Sequence, residues 1–273
     1  LDAYLERLKE IQRRDHRSLG RDLELFRIDE ELGSGLVLWL PNLSIVREEL
    51  ETWWRRVHHD RGYTLVYTPH IAHERTYVRS GHIEKYGENM YGPLALDEGT
   101  QNFWIKPMNC PGHIKVFQSK VRSYRELPLR IGELGTVYRY ERGGTLHGML
   151  RVRGFTQDDS HIFCGWAQAQ EEIGQVFDLA MEFMRLFGYG EPQIYLATRP
   201  ERRLGSDELW DRAEEALRQA LGVRGVPYKI DEGGGVFYAP KIDIKMQDAI
   251  GREWQGPTIQ VDLDRMILGK FHP

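Results

Sequence analysis

The sequence predicts an α+β fold, a mostly antiparallel sheet flanked by helices. Helical patterns come first along the chain, strand-like runs follow, and only two long helical patterns interrupt those runs, so the steady strand-helix alternation of a parallel sheet is missing. With 273 residues the chain can bury a large core. Its formal net charge of −4 supplies no global basic field of the kind that marks nucleic-acid binders, although a local basic face is compatible with it. Two cysteines, Cys110 and Cys164, and no signal-like or membrane-length apolar run point away from a disulfide framework, export or a membrane, and make a reducing cytoplasm the expectation.

Leu1, Leu5, Leu8 and Ile11 recur among charges as an amphipathic helix, a lead-in over residues 1–20. Asp15-His16-Arg17 and Gly20 interrupt it, residues 23–28 fit helix or strand, and Gly33-Ser34-Gly35 closes the segment. Residues 36–40 read as a short apolar strand stopped by Pro41-Asn42. With Ser44 as N-cap, Val46, Leu50, Trp53 and Val57 recur at helical spacing up to a stop at Gly62. Trp53 and Trp54 suit packing there, in the core or a dimer interface, better than a platform for bases. His58 and His59 are adjacent and do not face one another, which argues against a shared metal. Residues 63–69 read as a strand ended by proline, residues 79–101 as a polar loop, and residues 103–113 as a strand running into a Pro/Gly turn that presents Cys110, before a helical pattern over 114–121.

Further on, Ile173, Val176, Ala180, Phe183 and Phe187 mark a long helix stopping at Gly188, and residues 194–197 a strand. Ser206 opens a helix carrying Leu209, Ala213, Leu217 and Ala220. Residues 226–230, 235–238, 242–247 and 258–261 read as an antiparallel meander, with Gly233-Gly234-Gly235 as a hairpin turn, since no helix start follows as a phosphate loop needs.

Chemistry concentrates in residues 138–164. They read as two strands joined by a long loop: Tyr138, Tyr140, Val152 and Phe155 suit a pleated surface and Gly143-Gly144-Thr145 supplies the turn. Arg139 and Glu141 are expected to share one face of the first strand, and Arg151 and Arg153 one face of the second. Such a face cannot be an apolar core. It suits a polyphosphate, because the arginine fork pairs bidentately with phosphate oxygens and stays charged; the plain alternative is a solvated hairpin with surface ion pairs. Cys110, after a strand and between prolines, is posed as a ligand or reactive thiol, the alternative being a small buried hydrophobe. Cys-Pro-Gly-His lacks the second cysteine of a redox or zinc-finger pair.

Several runs together carry a resemblance: the helix and strand ending at Pro69, Lys106-Pro107-Met108-Asn109-Cys110-Pro111-Gly112-His113, residues 138–155, Gln157-Asp158-Asp159-Ser160-His161-Ile162-Phe163-Cys164, Ala197-Thr198-Arg199-Pro200-Glu201 and Phe237-Tyr238-Ala239-Pro240-Lys241-Ile242. In that order they resemble the catalytic core of the class II aminoacyl-tRNA synthetases, specifically the threonyl-tRNA synthetases, over nearly the whole chain.

The resemblance implies the class II catalytic fold as one domain over residues 1–273, dimerising through its first motif. It implies activation of L-threonine with ATP and transfer to the 3′ end of tRNA(Thr), with Zn²⁺ and Mg²⁺ as cofactors. Arg139 is then expected on the α-phosphate, Glu141 on the adenine amine, Phe155 against the adenine ring and Arg151 near the terminal phosphates. Cys110 and His161 become two of three protein ligands to zinc. Asp159 takes a threonine hydroxyl or amino group, Met108 sits at the pocket mouth, and Gln157, Tyr238, Lys241, Gln255 and Gln260 serve the amino acid and ATP, with Lys241 counted as catalytic. Asp264-Arg265-Met266 resembles a remnant of the third motif, making Arg265 a candidate for the γ-phosphate. The family's third zinc histidine has no counterpart, His272 lying after Arg265, and the editing and anticodon-binding domains are expected to be absent. Two other readings stand beside this one: a silent synthetase-like module that binds tRNA or a partner, and a zinc hydrolase, which leaves Arg139, Glu141 and Phe155 without a purpose.

Overall fold

The computed structural model describes residues 2–247 and 252–262. Arg265 and His272 lie outside the described residues. The described chain forms two compact units, one built of the residues up to Lys120 together with Arg130–His161, the other of Val121–Leu129 and the residues from Ile162 onward.

The first unit opens with α1 (Asp2–Arg13) and α2 (His16–Asp22). Asp15, read in the sequence as an interruption, is the N-cap of α2: its carboxylate accepts from the Arg17 N–H at 2.8 Å. A hairpin follows, β1 (Phe26–Ile28) antiparallel to β2 (Val37–Trp39), then α3 (Pro41–Asp60). Helix α3 begins earlier than the expected Ser44 cap, because a proline needs no N–H partner in the first turn. It ends where Gly62 adopts a positive φ of 75°. Trp54, Val57 and His58 are its buried face, so Trp54 packs rather than stacks on a base.

After β3 (Tyr63–Leu65) come β4 (Ile71–His73) and α4 (Glu74–Arg79), and the expected polar loop over residues 79–101 holds α5 (His82–Tyr86) and β5 (Leu94–Leu96). These elements are too short for a periodic signal. Strand β6 (Gln101–Ile105) pairs antiparallel with both β4 and β5 and leads into α6 (Cys110–Phe117), which starts at Cys110 and not at Ile114 because Pro111 sits in its first turn. Strands β7 (Leu129–Tyr138) and β8 (Gly154–Phe163) complete a sheet of order β3-β7-β8, with β3 parallel to β7.

The second unit packs α7 (Trp166–Leu186) and α8 (Asp207–Val223) on a sheet of order β10-β9-β11-β12, where β9 is Gln193–Ala197, β10 Lys229–Asp231, β11 Lys241–Gln247 and β12 Glu253–Gln260. Ser206 caps α8 as expected, accepting from the Leu209 N–H. The core joins Ile173, Phe177 and Met184 of α7 to Leu217 and Leu221 of α8 and to Leu196, Ile242, Ile244 and Ile259 of the sheet. Residues 235–238 form a turn instead of the expected strand, and β10 pairs parallel with β9, so the meander is broken by one parallel pairing. No helix among the described residues is long and apolar enough to cross a membrane.

Candidate active site

In the first unit the loop between β7 and β8 carries the arginines. Arg139 and Glu141 lie beyond the end of β7 and Arg151 and Arg153 before the start of β8, so the expected shared strand faces do not form. The loop is held by specific bonds instead. The Arg139 N–H donates to the Arg153 carbonyl at 2.8 Å, and Nε of Arg153 donates to the Glu141 carbonyl at 2.9 Å. Nε of Arg139 donates to the Pro107 carbonyl at 3.1 Å, and its guanidinium lies 5.2 Å from the centre of the Phe155 ring. Arg151 donates twice to one carboxylate oxygen of Glu141, at 2.9 and 3.2 Å. The structure therefore brings Arg139, Glu141, Arg151 and Phe155 together around one loop, with Glu141 and Arg151 engaged with each other. Burial raises the Tyr86 phenol above its ordinary range, helped by the Glu141 charge and opposed by the Arg139 and Arg151 charges.

A second group gathers where α6 meets β7 and β8. Phe155, Gln157, Asp159 and His161 alternate along β8 and so share one face. Asn109 is fully buried and donates to Asp159 at 3.0 Å, and His113, one turn after Cys110, meets His161 at 2.7 Å between their Nδ1 atoms. Cys110 is thus bracketed along α6 by residues bonded to both Asp159 and His161. Met108, half-buried, immediately precedes them.

Beneath this group is a charged network the sequence reading missed. Glu133 is buried on β7 and accepts from the Thr68 N–H at 2.7 Å, the Thr68 hydroxyl at 2.8 Å, Lys106 at 3.4 Å and Nε2 of His113 at 3.0 Å. Burial alone would raise its pKa, but the bonds from His113 and Thr68 and the Lys106 charge outweigh it and hold Glu133 down to about 2. The signal was present: Ile131, Glu133, Gly135 and Val137 alternate as one wholly buried line, and a carboxylate in such a line requires partners.

In the second unit Lys241 donates to Asp243 at 2.6 Å, while Gln255 and Thr258 donate to the other oxygen of the same carboxylate at 2.8 and 3.1 Å. Asp243, 2% exposed, links two predicted residues and was itself missed. The Tyr238 hydroxyl donates to Gln260 at 3.2 Å.

Thiolate and imidazole are ligands zinc accepts, Nδ1 of His161 is engaged with His113, and Nε2 of His161 has no partner among the described residues. Cys110 and His161 are thus of the donor types that zinc takes. Among the described residues no group of three His, Cys, Asp or Glu side chains completes a metal site.

Residues 91–268 match the family model of the tRNA synthetase class II core domain (G, H, P, S and T). The chain is 52% identical over 264 residues to a threonine–tRNA ligase of Sulfurihydrogenibium sp., covering 97% of this chain and 41% of the relative. It is 52% identical to that of Aquifex aeolicus, covering 95% of this chain and 41% of the relative. The chain thus spans about two fifths of the length of these curated relatives. Among solved structures, one described as the RNA binding domain of threonyl-tRNA synthetase from Cryptosporidium parvum superposes with a TM-score of 0.85 at 39% identity, covering 93% of this chain and 63% of that one. A prolyl-tRNA synthetase from the same organism, at 15% identity and TM-score 0.65, covering 92% of this chain and 44% of that one, shares the fold.

Proposed function

Because the chain belongs to the class II tRNA synthetase core-domain family, we propose that it activates L-threonine with ATP and passes the threonyl group to tRNA(Thr). The observation that carries this reading is Arg139, held by the Pro107 carbonyl beside the Phe155 ring. A fixed cation next to an aromatic plane suits a purine nucleotide, phosphate on the one and base on the other.

In the first step a carboxylate oxygen of threonine attacks the α-phosphorus of ATP. The bond to the oxygen bridging the β-phosphate breaks, and pyrophosphate leaves with the electron pair. In the second, a hydroxyl of the terminal ribose of tRNA attacks the threonyl carbonyl, loses its proton and displaces AMP. Positioning and charge stabilisation dominate such chemistry. Arg139 neutralises charge growing on the α-phosphate, and Arg151 leaves Glu141 for the terminal phosphates, with Mg²⁺ adding positive charge. Glu141, so released, accepts from the adenine amine. Gln157, Tyr238, Lys241, Gln255 and Gln260 are assigned to substrate groups, and Arg265 to the γ-phosphate.

Cys110 and His161 would hold zinc, with Asp159 accepting from threonine. Zinc bound there supplies a Lewis-acid centre for the amino and hydroxyl groups of threonine, which valine, lacking the hydroxyl, fills incompletely. Met108 closes the mouth of this pocket. The reading includes a homodimer through α3 and residence in the cytoplasm.

Amino-acid-dependent ATP–pyrophosphate exchange, with bound zinc counted in the same sample, tests it. Exchange with threonine, less with serine and none with valine is expected. No exchange with any of them in zinc-loaded protein overturns the reading.

A further inference from the structure

The two rings joining Cys110's helix to β8 form a chain of hydrogen bonds with a defined direction. Glu133 is ionised and can only accept, so Nε2 of His113, 3.0 Å away, carries the hydrogen. The other nitrogen of a neutral imidazole is an acceptor. With the His113 ring neutral, its Nδ1 receives the hydrogen of the 2.7 Å contact, which Nδ1 of His161 donates. The lone pair of His161 then resides on Nε2, the nitrogen without a partner among the described residues. The far end is anchored as firmly as the near end: Thr68 and Lys106 fix the Glu133 carboxylate, and His113 is fully buried.

We propose that His113 and Glu133 are positioning residues which select the tautomer of His161, leaving Nε2 as its metal-binding atom. The inference rests on the zinc reading above and deepens it. Outer partners of this type orient a ligating imidazole and raise its basicity. Here the partner is a second histidine that passes the carboxylate's influence on.

Glu133→Gln is the discriminating variant. It keeps the shape of the side chain; the Thr68 N–H and Lys106 still donate to the amide oxygen, while the amide nitrogen turns toward His113. Nε2 of His113 must then accept, Nδ1 becomes the donor, and the hydrogen of His161 shifts to Nε2, blocking the ligand atom. Two readouts follow, neither needing catalysis. Competition with a chromophoric chelator should show zinc bound about 10- to 100-fold more weakly than by the unsubstituted full chain. The ring ¹⁵N shifts of His161 in zinc-free protein should report an Nδ1–H tautomer in the unsubstituted chain and an Nε2–H tautomer in Glu133→Gln.

An Nε2–H tautomer in the unsubstituted chain overturns the proposal without any variant, and so does equal zinc affinity in a folded Glu133→Gln. An unsubstituted chain that shows the Nδ1–H tautomer but takes up no zinc overturns the metal reading, and with it the role assigned to the relay.

Discussion

Asp243 receives Lys241 on one oxygen and Gln255 and Thr258 on the other, all within a site that leaves the aspartate 2% exposed. Removing one partner of a buried charge pair strands the other. Asp243→Asn is therefore expected to lose about 3 kcal/mol of stability, read from the urea midpoint, and to slow pyrophosphate exchange on the order of 10²-fold as Lys241 and Gln255 lose their positions. Glu133 gives a pH dependence. Its folded pKa of about 2 lies below the ordinary value of 4.5, so its contribution is fully present above pH 4.5 and is lost as the pH falls toward 2. That contribution is about 3 kcal/mol. Urea unfolding at a series of pH values through this window should show a steep loss in the unsubstituted chain and a shallower one in Glu133→Gln. Asp243 did not stand out in the sequence. Lys241, Asp243 and Lys245 alternate with Ile242 and Ile244, a pattern that reads as a half-solvated strand, and Asp243 is buried where β9 and β12 flank β11. Cys110 and His161 were singled out because their neighbours form long ordered runs; His113, within one of those runs, meets His161 only because β8 comes beside α6.

At the scale of elements, α6 lies against β7 with almost no clearance. A Cβ on Gly135 would stand 2.4 Å from the buried amide of Asn109, and one on Gly112 would stand 2.7 Å from the Thr68 side chain. Gly135→Ala is expected to cost 1 to 3 kcal/mol by overpacking, roughly the penalty of a forced core shift, and to displace Asn109 from Asp159. Thermal unfolding measures the first effect and amide exchange at Asn109 the second. The long helices α3, α7 and α8 were legible from their spacing and stops. Helices α4 and α5 and strand β5 were not, since five- and six-residue helices and a three-residue strand are shorter than any period that could announce them. The parallel pairings of β3 with β7 and of β10 with β9 have no local signature either, being set by which strand the chain returns to.

On the scale of the whole molecule, each unit carries its own closed interior. In the second, Leu217 is wholly buried among α7, α8 and the sheet. Leu217→Ala should destabilise that unit by 2 to 5 kcal/mol, about the range for a leucine cavity, and hydrogen exchange should show the loss in α7, α8, β9 and β11. The α+β class was legible because patterned helices precede the strands.

The lead-in helix has a further consequence. Nε2 of His16, on α2, accepts from the Met149 N–H at 3.2 Å, and the contact is possible only because Gly148, at φ 53°, has no Cβ, which would stand 2.0 Å from that nitrogen. Met149 is two residues from Arg151. A boundary drawn after Gly20, the end of the expected lead-in, would remove the peg on which the arginine loop hangs. The freed loop regains backbone entropy worth roughly 1 kcal/mol per residue. ATP would have to repay that on every encounter, so the trimmed protein should fold normally yet bind nucleotide more weakly.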